Sequence, residues 1–205
     1  MNLNKSKTII WDLDGTLIDS KPDIFACLNE ILLKHSLSAD FDKIKIGPPL
    51  NVMLQELFPN LPAKTIDEII VNFRKNYANC GFNNTKPFCE IENCLNMNAN
   101  HYLATSKPLN LTDYILGKLN WQNKFVKIFA GIDKTEVFAK IKSESSAEQI
   151  FSVGDSASDA IAAKNNGIIA YGALWGYGSR EELTKICDMA FETAKELWDF
   201  LYLQL

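Results

Sequence analysis

Two aspartates one residue apart, Asp12 and Asp14, stand at the end of the apolar run Thr8-Ile9-Ile10-Trp11, with Gly15 and Thr16 directly after them. In an extended strand alternate side chains share a face, so this spacing aims both carboxylates the same way. Two carboxylates held together raise each other's proton affinity unless a cation offsets them, and a divalent ion is the usual partner. One carboxylate then remains for acid–base work. Gly15 lets the chain turn sharply away at the C-terminal edge, where open α/β sheets bind ligands. A simple acidic turn would have the same composition. The choice between the two depends on whether matching chemistry recurs further along the chain.

It recurs at three more strand-to-helix junctions. His101-Tyr102-Leu103-Ala104-Thr105 reads as a short strand running into the turn Ser106-Lys107-Pro108. Asp133-Lys134-Thr135-Glu136 has the spacing of a helix start, with Asp133 as cap and Glu136 as its reciprocal partner. Gln149-Ile150-Phe151-Ser152-Val153 is another buried strand, ending in Gly154-Asp155-Ser156-Ala157-Ser158-Asp159. A hydroxyl, a cation and further carboxylates therefore follow the first acidic pair in order.

Asp12-Leu13-Asp14-Gly15-Thr16, Thr105, Lys134 and Gly154-Asp155-x-x-x-Asp159 resemble the four ordered motifs of the haloacid dehalogenase-like hydrolase superfamily. Gly47-Pro48-Pro49-Leu50, Thr105-Ser106-Lys107-Pro108 and Trp175-Gly176-Tyr177-Gly178 are similar to its phosphoglycolate phosphatase-like branch. The resemblance implies a phosphatase in which Asp12 is the nucleophile, forming an aspartyl-phosphate, and Asp14 is the general acid and base. It implies Mg²⁺ on the Asp12 carboxylate, the Asp14 carbonyl and Asp155, with Asp159 holding a metal-bound water or orienting the lysine. Thr105, the Ser106 amide and Lys134 would face the phosphoryl oxygens. A lysine in the first turn of a helix opposes the helix dipole, so Lys134 needs an anion nearby. Many relatives carry Lys-Pro where this chain has Lys134-Thr135, which leaves Lys140 and Lys142 as alternatives. Lys107 is a competing cation for substrate, and the Gly47-Pro48 loop either faces the site or merely breaks a helix. Trp175-Gly176-Tyr177-Gly178 reads as a structural closure of the core.

The elements that must position these groups divide into two parts. Helical spacing dominates after the first strand: Ile24, Leu28, Ile31 and Leu32 line one face, and Ile66, Ile69, Ile70, Phe73 and Tyr77 another. Beyond about Thr85, strands alternate with helices, as parallel pairing requires. The expected strands are Tyr102–Thr105, Lys127–Ala130, Ile150–Val153 and Ile168–Tyr171, with a last helix carrying Ala194, Leu197, Trp198 and Leu201 inward. The expected architecture is a doubly wound, Rossmann-like parallel sheet over residues 1–17 and 84–205, with an α-helical cap inserted at 18–83 and a hinge at Asn83-Asn84.

A chain of 205 residues, 47% hydrophobic and 22% charged, can bury a good core. A net charge of -4 offers no footprint for nucleic acid or anionic membrane. Five cysteines without CxxC spacing read as reduced thiols in a cytoplasmic protein. His35 and His101 read as surface or helix-end residues. The start of the chain shows no signal-peptide core, and no apolar run reaches membrane-spanning length. The expected partner is a small phosphorylated metabolite, phosphoglycolate first, met by a monomer or homodimer. A cap that closes over the nucleophile would exclude larger substrates, and Lys43, Lys45, Arg74 and Lys75 are its candidate cations. A phosphomutase, a pyrophosphatase or a nucleotidase of the same superfamily are the alternatives within the resemblance. A receiver domain lacks the insertion and is shorter, and a non-catalytic relative would not need every acid.

Overall fold

The structure is a computed structural model that describes residues 7–41, 44, 50–80, 82–131 and 133–203. The described chain begins with β1 (Lys7–Trp11) and the two-residue β2 (Ile18–Asp19), then passes into α1 (Lys21–Lys34), α2 (Leu50–Leu57) and α3 (Ala63–Asn79). It continues through the two-residue β3 (Lys86–Pro87), α4 (Ile91–Leu95), β4 (Asn100–Thr105), α5 (Leu109–Leu119), β5 (Lys127–Ala130), α6 (Lys134–Glu144) and β6 (Gln149–Gly154). The last elements are α7 (Ala157–Asn165), β7 (Ile169–Ala173), α8 (Arg180–Ile186), β8 (Met189–Phe191) and α9 (Ala194–Tyr202). Two compact units result, Met1–Asp19 with Pro87–Leu205, and Ser20–Lys86.

The first unit is built on a six-stranded sheet in the order β5-β4-β1-β6-β7-β8, with every pair parallel. β1 is central and buried along all five residues, with Ile9, Ile10 and Trp11 giving it apolar side chains on both faces. On one face Ile10, Tyr102, Ala104, Phe129 and Ala170 share a core with Val137, Phe138 and Ile141 of α6 and with Ala160, Ala162 and Ala163 of α7. The small residues of α7 let that helix lie close to the strands. On the other face Tyr171 stacks on Phe151 at 5.2 Å and meets Phe191 and Phe200 edge-on. Helices thus cover both faces, the arrangement expected from the alternating pattern. The chain winds from β1 outward to β4 and β5, then returns across to β6. Its reversal of direction lies beside the C-terminal end of β1.

The fourth expected strand, Ile168–Tyr171, is observed as Ile169–Ala173. Gly167 adopts φ +59° after α7, its N–H donates to Lys164 O, and Ile168 N–H donates to Ala163 O. Ile168 is consumed by this left-handed helix cap before the strand can begin. Strand β8 was not expected; it is three residues long, with Met189 exposed, and lacks a readable alternation.

The second unit is helical in its long elements and has its own core, in which Leu28, Ile31 and Leu32 of α1 pack with Leu54, Ile66 and Ile69. Within it the buried Asp23 carboxylate accepts from the Asn84 and Thr85 amides at 3.1 and 2.7 Å, and from the Thr85 hydroxyl at 2.7 Å. These bonds draw Asn84 and Thr85 into the helical unit. The crossings between units accordingly fall at 19/20 and 86/87, against 17/18 and 83/84 from the sequence. The Gly47-Pro48-Pro49 motif and the cations Lys43 and Lys45 lie outside the described residues.

Among the described residues no helix is long and apolar enough to cross a membrane, and Cys27, Cys80, Cys89, Cys94 and Cys187 are all unbridged. His35 caps the end of α1. His101 departs from expectation: it is buried in β4, where Nδ1 accepts from Trp11 Nε1–H at 2.9 Å and Nε2 lies 3.2 Å from Met97 O.

Candidate active site

The C-terminal ends of β1 and β6 and the starts of α6 and α7 converge on one cluster of charge. Asp12 follows directly on β1, and its amide continues the sheet by donating to Val153 O at 3.0 Å. Asp155 follows β6 and Asp159 sits in the first turn of α7. One carboxylate oxygen from each of these three buried residues lies within 4.8 Å of the others. Lys134 is placed among them: Nζ is 2.7 Å from Asp12 Oδ1 and 2.5 Å from Asp159 Oδ1. The anion that a lysine at this helix start requires is therefore the carboxylate pair itself. The two lysines left open as alternatives are engaged elsewhere. Lys142 Nζ donates to Asn166 O at 2.5 Å, and Lys140 lies over the Phe129 ring.

Asp159 is held from both sides. Its Oδ1 takes Lys134, while Oδ2 accepts from the Ser156 amide at 3.3 Å, as in a capping box at the start of α7, and from Ser156 Oγ at 2.6 Å. Asp159 thus contacts both Lys134 and the start of α7. Asp155 is oriented by the Tyr177 amide, which donates to Oδ2 at 2.8 Å, and by the Thr16 hydroxyl, 3.4 Å from Oδ1.

Asp14 meets a different lysine from Asp12. The strand ends at Trp11, so strict alternation no longer governs residue 14. Its carboxylate pairs instead with Lys107 Nζ, 3.0 Å from Oδ2. Lys107 is only 6% exposed, so its ammonium is spent on Asp14 inside the protein, a role its sequence position beside Thr105 did not reveal. The Thr105 hydroxyl, buried at the end of β4, accepts from the Lys107 amide at 3.2 Å, and Ser106 is exposed. The hydroxyl turn thus shapes the loop that carries Lys107 under Asp14.

The electrostatics of the cluster test whether a metal fits. Burial pushes the Asp12 carboxyl up to about 8; Lys134 pulls the other way, and Asp159 and Asp155 add to the rise. Burial likewise raises Asp155 to about 6, opposed by the Tyr177 amide and assisted by Asp159. Burial works against the Lys134 charge, yet Asp12 and Asp159 overcome it and hold the amine above its usual range. Three ionised carboxylates and one ammonium sum to -2, so a divalent cation is the charge that would let all three ionise. The donors are all oxygen, which suits a hard cation. Asp12 and Asp155 would hold it directly, and when bound it would neutralise charge on a phosphoryl group.

Residues 9–173 match the haloacid dehalogenase-like hydrolase family. A phosphoglycolate phosphatase of Xanthomonas campestris pv. campestris is 28% identical over 94% of this chain and 95% of its own length. One from Xylella fastidiosa is 30% identical over 86% of this chain and 83% of its own. Among solved structures, a haloacid dehalogenase-like family hydrolase from Streptococcus pneumoniae superposes with a TM-score of 0.85 at 20% identity, over 97% of this chain and 100% of that one, a likeness of fold. With the family matched over most of its length and the motif residues gathered at the sheet's C-terminal edge, the chain belongs to the haloacid dehalogenase-like hydrolases.

Proposed function

We propose that the protein is a Mg²⁺-dependent phosphomonoesterase acting on a small anionic metabolite, with phosphoglycolate the first candidate. The observation that carries the reading is Lys134 bridging Asp12 and Asp159 beside Asp155, at the end of the central strand. Lys134 favours the Asp12 anion against burial, and a divalent cation on the cluster would complete its ionisation. Asp12 attacks phosphorus, the bond from phosphorus to the leaving oxygen breaks, and Asp14 donates its proton to that oxygen. In the second step Asp14 takes a proton from water as the water attacks the aspartyl-phosphate, releasing inorganic phosphate and restoring Asp12. Lys107 holds the Asp14 carboxylate in place between the two transfers, while Lys134 and Thr105 face the phosphoryl oxygens.

The substrate class is supported by the relatives, which span nearly the whole chain and are phosphoglycolate phosphatases. The helical unit, residues 20–86, stands where a cap would be inserted, directly after the nucleophile strand. Phosphate release from a panel of phosphorylated metabolites, with Mg²⁺ and then with EDTA, tests the reading. A small metabolite is expected to be preferred, EDTA to stop release, and Asp12→Asn to abolish it while leaving the fold intact. A preference for phosphopeptides or nucleic acid over every small metabolite would refute the substrate class. Turnover by metal-loaded Asp12→Asn would refute the mechanism.

A further inference from the structure

The motif Trp175-Gly176-Tyr177-Gly178 remains without a part in this chemistry, and its geometry gives it one. It is a turn after β7 that reaches across the end of the sheet. Tyr177 N–H donates to Asp155 Oδ2 at 2.8 Å. Trp175 Nε1–H donates to Thr16 O at 3.0 Å, and the Tyr177 hydroxyl donates to Asp19 Oδ1 at 2.8 Å. Both side chains thus anchor the turn to the loop after Asp14 and to β2, while its backbone grips Asp155.

The two glycines make that grip possible. A Cβ on Gly176 would lie 2.2 Å from Gly15 O and 2.3 Å from Asp155 Cβ, and one on Gly178 would lie 1.7 Å from Asp155 O. Gly15 closes the same contact from the other side: at φ +82°, its Cβ would lie 2.1 Å from Asp155 Oδ2. No other residue type fits these distances without moving Asp155. A carboxylate can rotate about its last bond, and a donor on one oxygen fixes that rotation and so the direction of the lone pairs.

We propose that the Trp175–Gly178 turn is the positioning device of the cation site: the Tyr177 amide sets the plane of the Asp155 carboxylate, and Gly176 and Gly178 let the backbone come close enough to do so. The inference rests on the reading of Asp12 and Asp155 as cation ligands. Outer groups that orient ligands typically change metal affinity by about 10–100-fold when lost, and here the lost group is a backbone amide displaced by a neighbouring side chain.

The test is Mn²⁺ binding to the full chain, followed by electron paramagnetic resonance of the unbound ion, with Mg²⁺ measured by competition and the urea midpoint measured alongside. Gly176→Ala is expected to weaken binding by about 10–100-fold. Trp175→Phe, which loses the bond to Thr16 O and part of the ring, is expected to weaken it by about tenfold and serves if Gly176→Ala does not fold. Tyr177→Phe keeps the amide and loses only the anchor to Asp19, so it should weaken binding no more than Trp175→Phe does. Folded Gly176→Ala with wild-type affinity, wild-type affinity in Trp175→Phe, or a loss in Tyr177→Phe as large as in Gly176→Ala would each overturn the inference while leaving the cation site standing. A wild-type protein that binds neither ion would overturn both, and Asp155→Asn, expected to lose binding, separates that case from a failure of the turn alone.

Discussion

At Asp12 two tendencies meet: burial and the neighbouring carboxylates favour the neutral acid, and Lys134 at 2.7 Å favours the anion. Among the described residues, removing the lysine leaves three buried carboxylates with no opposing side-chain charge paired to them, a loss that costs about 3–5 kcal/mol when a buried pair is broken. Lys134→Met should therefore lower the urea-unfolding free energy by about that much without metal, and Mg²⁺ should restore more stability to the variant than it adds to wild type. Equal gains on adding Mg²⁺ would show that Lys134 does not balance the cluster. Asp14 meets a different lysine from Asp12, so its substitution should leave the carboxylate cluster in place and show its catalytic effect in proton transfer. Asp14→Asn is expected to slow alkyl phosphates by about 10²–10⁴-fold and to spare aryl phosphates, whose leaving oxygens need little protonation. An equal loss on both, measured as phosphate release, would contradict the acid–base role.

Among the elements, β4 carries a titratable group whose state is set by packing. His101 is held below its usual range by burial, against a contribution from Met97 O and with Lys124 adding to the depression. Its bonds to Trp11 and Met97 require the neutral ring, with Nδ1 as acceptor. The unfolded chain takes up the proton near pH 6.5 and the folded one only at lower pH, so stability rises with pH through that window. The contribution should be complete above about pH 6.5 and fade as pH falls. His101→Asn, which offers Trp11 an acceptor that does not titrate, should flatten the dependence of the melting temperature between pH 5 and about 7; an unchanged slope would remove His101 as its source. The sequence could not reveal this histidine's state, because nothing local marks the Trp11 indole across the strand. The same holds for the Lys107–Asp14 pair and for the grip of the Tyr177 amide on Asp155, which join residues distant in the chain through loops. What was legible was periodic or ordered: the apolar strands, the helical stripes of α1 and α3, and the four acidic, hydroxyl and basic motifs at strand ends. Short β8 and the strand start displaced by the Gly167 cap were not legible, because capping and edge pairing decided them.

At the scale of the molecule, two units with separate cores need not share one stability. Within the second unit one carboxylate joins the first helix to the last residues. Asp23 lies in the first turn of α1, is 5% exposed, and accepts from the Asn84 amide, the Asn84 side chain at 2.9 Å, the Thr85 amide and the Thr85 hydroxyl. Asn84 and Thr85 are the last residues before the chain returns through β3, so these bonds fasten the end of the unit to its beginning. Bonds to a charged acceptor contribute about 1.5–3 kcal/mol, and donors left unpaired by its removal add to the loss. Asp23→Ala should therefore destabilise the helical unit by about 2–3 kcal/mol. Amide hydrogen exchange gives the measurement: protection in α1 and α3 should fall by that amount, while β1, β4 and β6 keep theirs. An equal fall in both sets would mean that the chain opens as one cooperative body, and that the carboxylate at the base of the insertion stabilises the whole rather than the part it fastens.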